Sequence, residues 1–104
     1  MSEPTPLMRQ YLAIKRELPP ETILLFRLGV FWEILGEDAI VSVPICGLIL
    51  THRGGTPMCG FPHISINTYL AKFIRTGKSV ALCEEVEHVR SGIPRREVTR
   101  IITP

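Results

Sequence analysis

At 104 residues, 45% of them hydrophobic, the chain is large enough for one folded domain with a single core. Its formal net charge of +2 and pI of about 8.6 fall short of the balance expected of a protein held on nucleic acid by charge alone. The N-terminus has no apolar signal core and no apolar run reaches the length of a membrane span. We therefore expect a soluble, cytoplasmic protein with no membrane partner.

The first third of the chain predicts a helix followed by a β-hairpin. Thr5, which precedes a proline, is typical of an N-cap, and apolar residues at helical spacing predict a helix ending near Leu18. Residues 23–28 are nearly all apolar, as in a strand covered on both faces. A glycine separates them from a second extended run through Leu35, so we predict a tight hairpin.

The middle third predicts a short helix and a turn. Glu37 and Asp38 favour a helix start, and we expect Pro44 to prevent that helix from continuing. Residues 48–51 are predicted to be extended, and residues 53–56 to form a turn.

The last third predicts a helix and two strands. Ser65 is expected to cap a helix that carries an apolar i, i+3, i+4, i+7 stripe and ends at Gly77. Residues 79–86 and 98–102 are predicted strands, separated by a loop over 87–95. Together these elements predict an α+β (mixed α/β) domain, with a small mixed β-sheet flanked by helices.

Cysteine, histidine and glycine patterns do not indicate a catalytic or metal site. The three cysteines are odd in number and lie in apolar contexts, which is typical of reduced, partly buried thiols. No CxxC or HxxxH pair fixes zinc ligands, and Cys59 and His63 are close only in sequence. Residues 77–79 end like a phosphate-binding loop, but Lys72 stands where that loop needs glycine. We predict no metal and no cofactor.

Charged clusters near the C-terminus each allow two interpretations. Four arginines within residues 90–100 would suit phosphate contacts, although a solvated basic loop is favoured on charge alone. Glu84, Glu85 and Glu87 would suit a carboxylate-metal nuclease, but no Asp or Lys partner stands at a suggestive spacing, which favours solvated acids.

The second hairpin strand carries the most specific arrangement. Period-two alternation places Phe31, Glu33 and Leu35 on one face, and Trp32 on the other. An aromatic ring on the same face as a carboxylate can enter a base step from the minor groove while the carboxylate meets the displaced base edge. Considered alone, a strand phenylalanine is more often a core residue.

The wider sequence resembles the mismatch-recognition domain of MutS-type DNA repair proteins. The resemblance begins with TPLMRQYLAIKRELPPETILLFRLGVFWEILGEDA, where Gly29, Phe31 and Glu33 match a family F-x-E motif that follows a strand and a glycine. It continues through LILTHRGG, TPMCGFP, YLAKFIRTGKSVALCEEVE and VTRIITP in the family's order, and so covers almost the whole chain.

The resemblance implies that residues 1–104 form a single mismatch-recognition domain, which binds double-stranded DNA with mismatches or small loops and is not an enzyme. Phe31 would stack on a mispaired or unpaired base from the minor groove, and Glu33 would hydrogen-bond to that base in a kinked duplex. Arg53 and Arg100 match positions that lie against the DNA backbone, where they would position the duplex without reading it.

Full-length members of the family are dimeric ATPases. The resemblance therefore implies that ATP and Mg²⁺ bind in domains absent from this chain, and that the isolated domain is a monomer. Val30, Trp32 and Ile64 depart from the family's common Asp, Tyr and His, and His63 lies one place before the last of these positions.

Two other function classes stand beside this one. A protein-docking or structural module with the same fold would pack Phe31 against a partner or its own core, and exposure of the Phe31 ring would separate this module from a DNA-reading one. A small nuclease would use the acids near Glu84, and metal-dependent cleavage of duplex DNA would support it.

Overall fold

The predicted hairpin lies at the centre of a six-stranded sheet in a computed structural model of the chain, which describes residues 4–87 and 92–104. The elements are α1 (Pro6–Arg16), β1 (Thr22–Leu28), β2 (Phe31–Leu35), α2 (Gly36–Cys46), β3 (Thr51–Arg53), β4 (Thr56–Pro62), a 3-10 helix (His63–Ser65), α3 (Ile66–Arg75), β5 (Ser79–Glu87) and β6 (Arg95–Ile102). The strand order is β3-β4-β2-β1-β5-β6, with β1 and β5 parallel and the other neighbours antiparallel. This mixed sheet confirms the predicted fold class.

Different helices cover the two faces of the sheet. The cluster under α2 and α3 contains Ile23, Leu25, Trp32, Ile34, Ala39, Cys46, Cys59, Phe61, Phe73, Val80 and Leu82. The cluster under α1 contains Tyr11, Leu24, Phe26, Leu35, Ala81 and Cys83. β1 contributes residues to both clusters, so it is covered on both faces, as its continuous apolar run predicted. No helix in the described ranges is long and apolar enough to span a bilayer.

Several local signals act as predicted. The Thr5 hydroxyl accepts a hydrogen bond from the backbone N–H of Met8 at 3.1 Å and caps α1. Gly77, with φ of +83°, follows the end of α3, so residues 77–79 stop a helix and do not start one. Lys78 is paired with Glu21. The three cysteines are free and buried, as expected.

The expectation that Pro44 ends the second helix is wrong, because α2 continues through it to Cys46. A proline removes one helical hydrogen bond, here the one to the carbonyl of Ile40. Ile40 and Pro44 are both exposed, so the missing bond lies on the exposed side of the helix. The helix ends instead at Gly47, which is left-handed with φ of +68°.

Three other details differ from the prediction. Ser65 precedes α3 but makes no side-chain capping bond, because it is the last residue of the 3-10 helix, with φ −93° and ψ 11°, and is not in the extended cap conformation. Residues 56–62 form strand β4, which their two prolines and a glycine did not suggest. β6 starts at Arg95, three residues before its predicted start, and residues 88–91 of the predicted loop lie outside the described part of the chain.

Asp38 joins three elements from a buried position. β2 pairs with β1 only at residues 26–28, so Leu24 has no strand neighbour on that side. The Asp38 carboxylate accepts the Leu24 N–H at 2.9 Å and pairs with the Lys15 ammonium at 2.9 Å. The Tyr11 hydroxyl lies within hydrogen-bonding distance of both the Leu24 carbonyl and Asp38. Burial raises the pKa of Tyr11, so the hydroxyl keeps its proton.

We predict that Asp38→Ala lowers the free energy of unfolding by about 2–3 kcal/mol, because a buried N–H loses its acceptor. Urea denaturation followed by circular dichroism measures the change. Glu37→Ala, at the exposed neighbouring position, serves as the control and should change stability by about 0.5 kcal/mol or less. Equal effects of the two substitutions would contradict the structural role of Asp38.

Candidate nucleic-acid interface

Phe31 lies at the tip of the central hairpin. Leu28 pairs with Phe31, so Gly29 and Val30 form a two-residue turn, and the φ of +61° at Gly29 fits the first central position of a type II′ turn. The Phe31 side chain is 43% exposed, whereas Trp32 is 5% exposed and belongs to the core. The alternative in which Phe31 is a core residue of this chain is therefore wrong.

Exposure rises along one face of β2 towards this tip. Leu35 is buried under α1, Glu33 is half-buried, and Phe31 is exposed. The predicted alternation is confirmed, since Trp32 and Ile34 pack on the opposite face under α2 and α3. The helix on the Phe31 side covers one end of the strand and leaves the other end open.

Gly60 makes room for the Glu33 carboxylate. The two residues are directly opposite in the pairing of β2 with β4. A Cβ atom at position 60 would lie 2.6 Å from the Glu33 Oε2 atom and 2.7 Å from the Trp32 carbonyl oxygen, so a larger residue would displace one of them. Our sequence reasoning did not identify Gly60, although a glycine inside a strand can mark such a close approach.

Arg53 is on the same side of the sheet as Glu33. On β4, Thr56 and Gly60 alternate onto one face, and the register places Arg53 opposite Thr56. Partial burial raises the pKa of the Glu33 carboxyl, and the positive charge of Arg53 partly offsets this rise. The site therefore combines an exposed ring, a carboxylate that takes up a proton more readily than usual, and an exposed cation.

A cavity of about 410 Å³ adjoins the ring and the carboxylate. Its walls consist of Phe31, Glu33, Gly47, Leu48, Ile49, Thr51, Met58, Cys59 and Gly60. The loop after α2 therefore belongs to this surface, although no motif in the sequence connects it with the hairpin.

Arg100 is not brought to this site. It lies on β6, at the far edge of the sheet and three strands from β2, about 14 Å away at ordinary strand spacing. Its register partner, Leu82, belongs to the cluster under α2 and α3, so Arg100 is on the opposite face from Phe31. A ligand that contacts both Arg53 and Arg100 must span the sheet and reach around one of its edges.

Two arginines of the C-terminal basic run are engaged within the protein. Arg95 pairs with Glu87 at 3.0 Å and with Glu97. Arg96 donates to the Gln10 side chain at 2.7 Å, and its guanidinium lies 5.3 Å from the Phe26 ring centroid. Arg90 lies outside the described residues.

The structure does not support the nuclease or thiol alternatives. Glu84 accepts a hydrogen bond from the Thr99 hydroxyl at 2.6 Å, and no group of three or more candidate metal ligands occurs within 4–87 and 92–104. Burial raises the pKa of Cys59 to about 12, and those of Cys46 and Cys83 to about 11, so these thiols stay protonated at neutral pH.

Comparison with known proteins identifies the family. The family described as MutS domain I matches residues 5–104. The chain belongs to this family. The DNA mismatch repair protein MutS of Desulforapulum autotrophicum is 47% identical to this chain, in a match that covers 96% of this chain and 12% of that protein. The protein of the same name in Brevibacillus brevis is 45% identical, in a match that covers 100% of this chain and 13% of that protein. The protein of that name in Desulfitobacterium hafniense is 49% identical, in a match that covers 96% of this chain and 12% of that protein. This MutS domain I chain thus spans about one eighth of the length of these relatives.

The raised pKa of Glu33 makes its effect on stability depend on pH. The Glu33 carboxyl binds its proton more tightly in the folded chain than in the unfolded chain. The stability that this proton contributes is therefore fully present below the pKa of Glu33 in the unfolded chain, and it is lost as the pH rises through the pKa in the folded chain. We predict that Glu33→Gln becomes more stable relative to the wild type as the pH rises from 3 to 7, because glutamine stays neutral. Urea denaturation at both pH values tests this, and a difference that stays constant or shrinks would contradict it.

Proposed function

We propose that the chain is the mismatch-reading module of a DNA mismatch repair protein. In this proposal, Phe31 enters the minor groove and stacks on a mispaired or unpaired base, and Glu33 hydrogen-bonds to that base. The observation that carries the proposal is an exposed aromatic ring beside a half-buried carboxylate at a hairpin tip. Family membership supports it, because the relatives are named DNA mismatch repair protein MutS.

Selectivity would come from the cost of opening the duplex. Unstacking a base step costs a few kcal/mol, and less where pairing is already defective. A ring that gains the same stacking energy at any step is therefore retained where opening is easiest. Phe31 would test the deformability of the duplex and not its sequence.

Glu33 adds a penalty that a mismatch relieves. A carboxylate beside polyanionic DNA is repelled unless it accepts a hydrogen bond or is protonated. Partial burial already raises the pKa of Glu33 and makes protonation less costly. A displaced base edge supplies a hydrogen-bonding partner, whereas a stacked, paired base does not.

Arg53 and Arg100 would contact phosphates without reading bases. Both are exposed, and neither forms an ion pair with a carboxylate in the described part of the chain. They lie at opposite edges and on opposite faces of the sheet, so Arg100 would reach a duplex bound at Phe31 only around the β6 edge. One wedge and a few phosphate contacts give weak binding by the isolated chain, since little surface is wrapped to offset DNA bending.

The chain is proposed to act as a monomeric, non-enzymatic module. Dimer formation, and the binding of ATP and Mg²⁺, would belong to other parts of the longer relatives.

A protein-docking module is the second candidate, because exposed apolar side chains lie beside Phe31. Val30 is 61% exposed and Ile64 is 82% exposed, and the hydrogen bond from the His63 N–H to the Val30 carbonyl, at 2.8 Å, places them near each other. Equal binding of matched and mismatched duplexes, unaffected by Phe31→Ala, would favour this candidate.

Phe31→Ala should lower affinity for a G·T duplex about 5- to 150-fold and affinity for a matched duplex less, because base stacking contributes about 1–3 kcal/mol. Fluorescence anisotropy at several fixed salt concentrations measures both affinities. As a control, Arg100→Ala, far from Phe31 and Glu33, should weaken both duplexes equally and reduce the salt slope by about one. Equal loss, or no loss, on the two duplexes after Phe31→Ala would reject the wedge.

Glu33→Ala should narrow the ratio of G·T to matched affinity, because it removes both the repulsion from matched DNA and the hydrogen bond to the mispaired base. The same titrations test this, with Glu17→Ala at the exposed end of α1 as the control. An unchanged ratio would show that Glu33 has no part in discrimination.

A further inference from the structure

The orientation of Phe31 depends on the two-residue turn that precedes it. The Val30 carbonyl accepts a hydrogen bond from the His63 N–H at 2.8 Å, which ties one side of the turn to the end of β4. Val30 itself is 61% exposed, so core packing does not hold its side chain. On the other side of the turn, the Gly29 carbonyl accepts a hydrogen bond from the Arg27 Nε at 2.7 Å.

Arg27 is itself attached to the core. It stands directly opposite Trp32 in the pairing of β1 with β2, and its guanidinium carbon lies 5.8 Å from the Trp32 ring centroid. Trp32 is 5% exposed and is packed among buried residues under α2 and α3. One planar guanidinium therefore links a rigid aromatic ring to a carbonyl of the exposed turn.

We propose that Arg27 is a positioning residue, which holds the hairpin tip in the conformation that presents the Phe31 ring to DNA. The inference rests on the proposed function of Phe31 and adds a residue that the F-x-E motif does not contain. Ordering a loose tip costs free energy when the ring is inserted, so loss of Arg27 weakens the complex that uses the wedge more than the complex that does not.

A phosphate contact is the competing role for Arg27. No carboxylate pairs with it among the residues that the structure describes, so its remaining N–H groups are free for an anion. The two roles differ in chemistry. A phosphate contact needs positive charge, which lysine retains, whereas positioning needs the planar group and its Nε donor, which lysine lacks.

The test compares Arg27→Lys and Arg27→Gln with the wild type, in titrations of G·T and matched duplexes over a range of salt. Positioning predicts that both variants lower the ratio of G·T to matched affinity on the order of fivefold, and that Arg27→Lys keeps the wild-type salt slope. It also predicts greater backbone motion at Gly29 and Val30 in ¹⁵N relaxation of the free chain. Arg16→Gln, at the C-terminal end of α1 and outside the hairpin, is the control and should change neither measurement.

A phosphate contact predicts a different result. Arg27→Lys would keep the wild-type ratio of G·T to matched affinity, and Arg27→Gln would lose the same affinity for both duplexes, with a salt slope lower by about one. This result would overturn the positioning role. If Phe31→Ala lowers the ratio and neither Arg27 variant does, only the positioning role fails. If Phe31→Ala leaves the ratio unchanged, the proposed function itself fails. Should Arg27→Gln unfold, Arg27→Lys still decides, because it retains the charge and the aliphatic stem.

Discussion

Where β1 and β2 separate, the carboxylate of Asp38 provides β1 with a hydrogen-bond acceptor that a neighbouring strand would otherwise supply. On the side of β1 that β2 leaves open, the Leu24 N–H bonds to this carboxylate, and the hydroxyl of Tyr11 lies against the Leu24 carbonyl. Both backbone groups of Leu24 therefore have partners where β2 has turned away into α2. The hairpin remains short, and its tip is exposed at Val30 and Phe31.

The exposed tip gives two neighbouring aromatic residues opposite environments. Trp32 points into the core under α2 and α3, where it helps to anchor the strand. Phe31 points to the other side, beyond the cover that α1 provides. Under the proposed function, a ring that enters a base step would need a rigid support, because conformational freedom lost on binding reduces affinity. The buried tryptophan supplies that support directly beside the exposed phenylalanine.

Sequence patterns predicted the helices and strands that are specified by nearby residues. The hairpin follows from an apolar run interrupted by Gly29, and α3 from its apolar stripe and from Gly77. Where tertiary packing overrides a local signal, prediction failed. Pro44 is tolerated because only one exposed helical bond is lost, and β4 forms between β2 and β3 although its composition does not favour a strand.

The sequence by itself determined that Phe31 and Glu33 share one side of a strand and that the chain resembles the MutS family, since both follow from order and spacing along the chain. Only the tertiary structure decided that this side is open at Phe31, that Gly60 leaves space for the carboxylate, and that Arg53 joins the site while Arg100 does not. The physical reason is that exposure and proximity depend on segments far apart in sequence, and the alternation of a single strand carries no information about what packs against it.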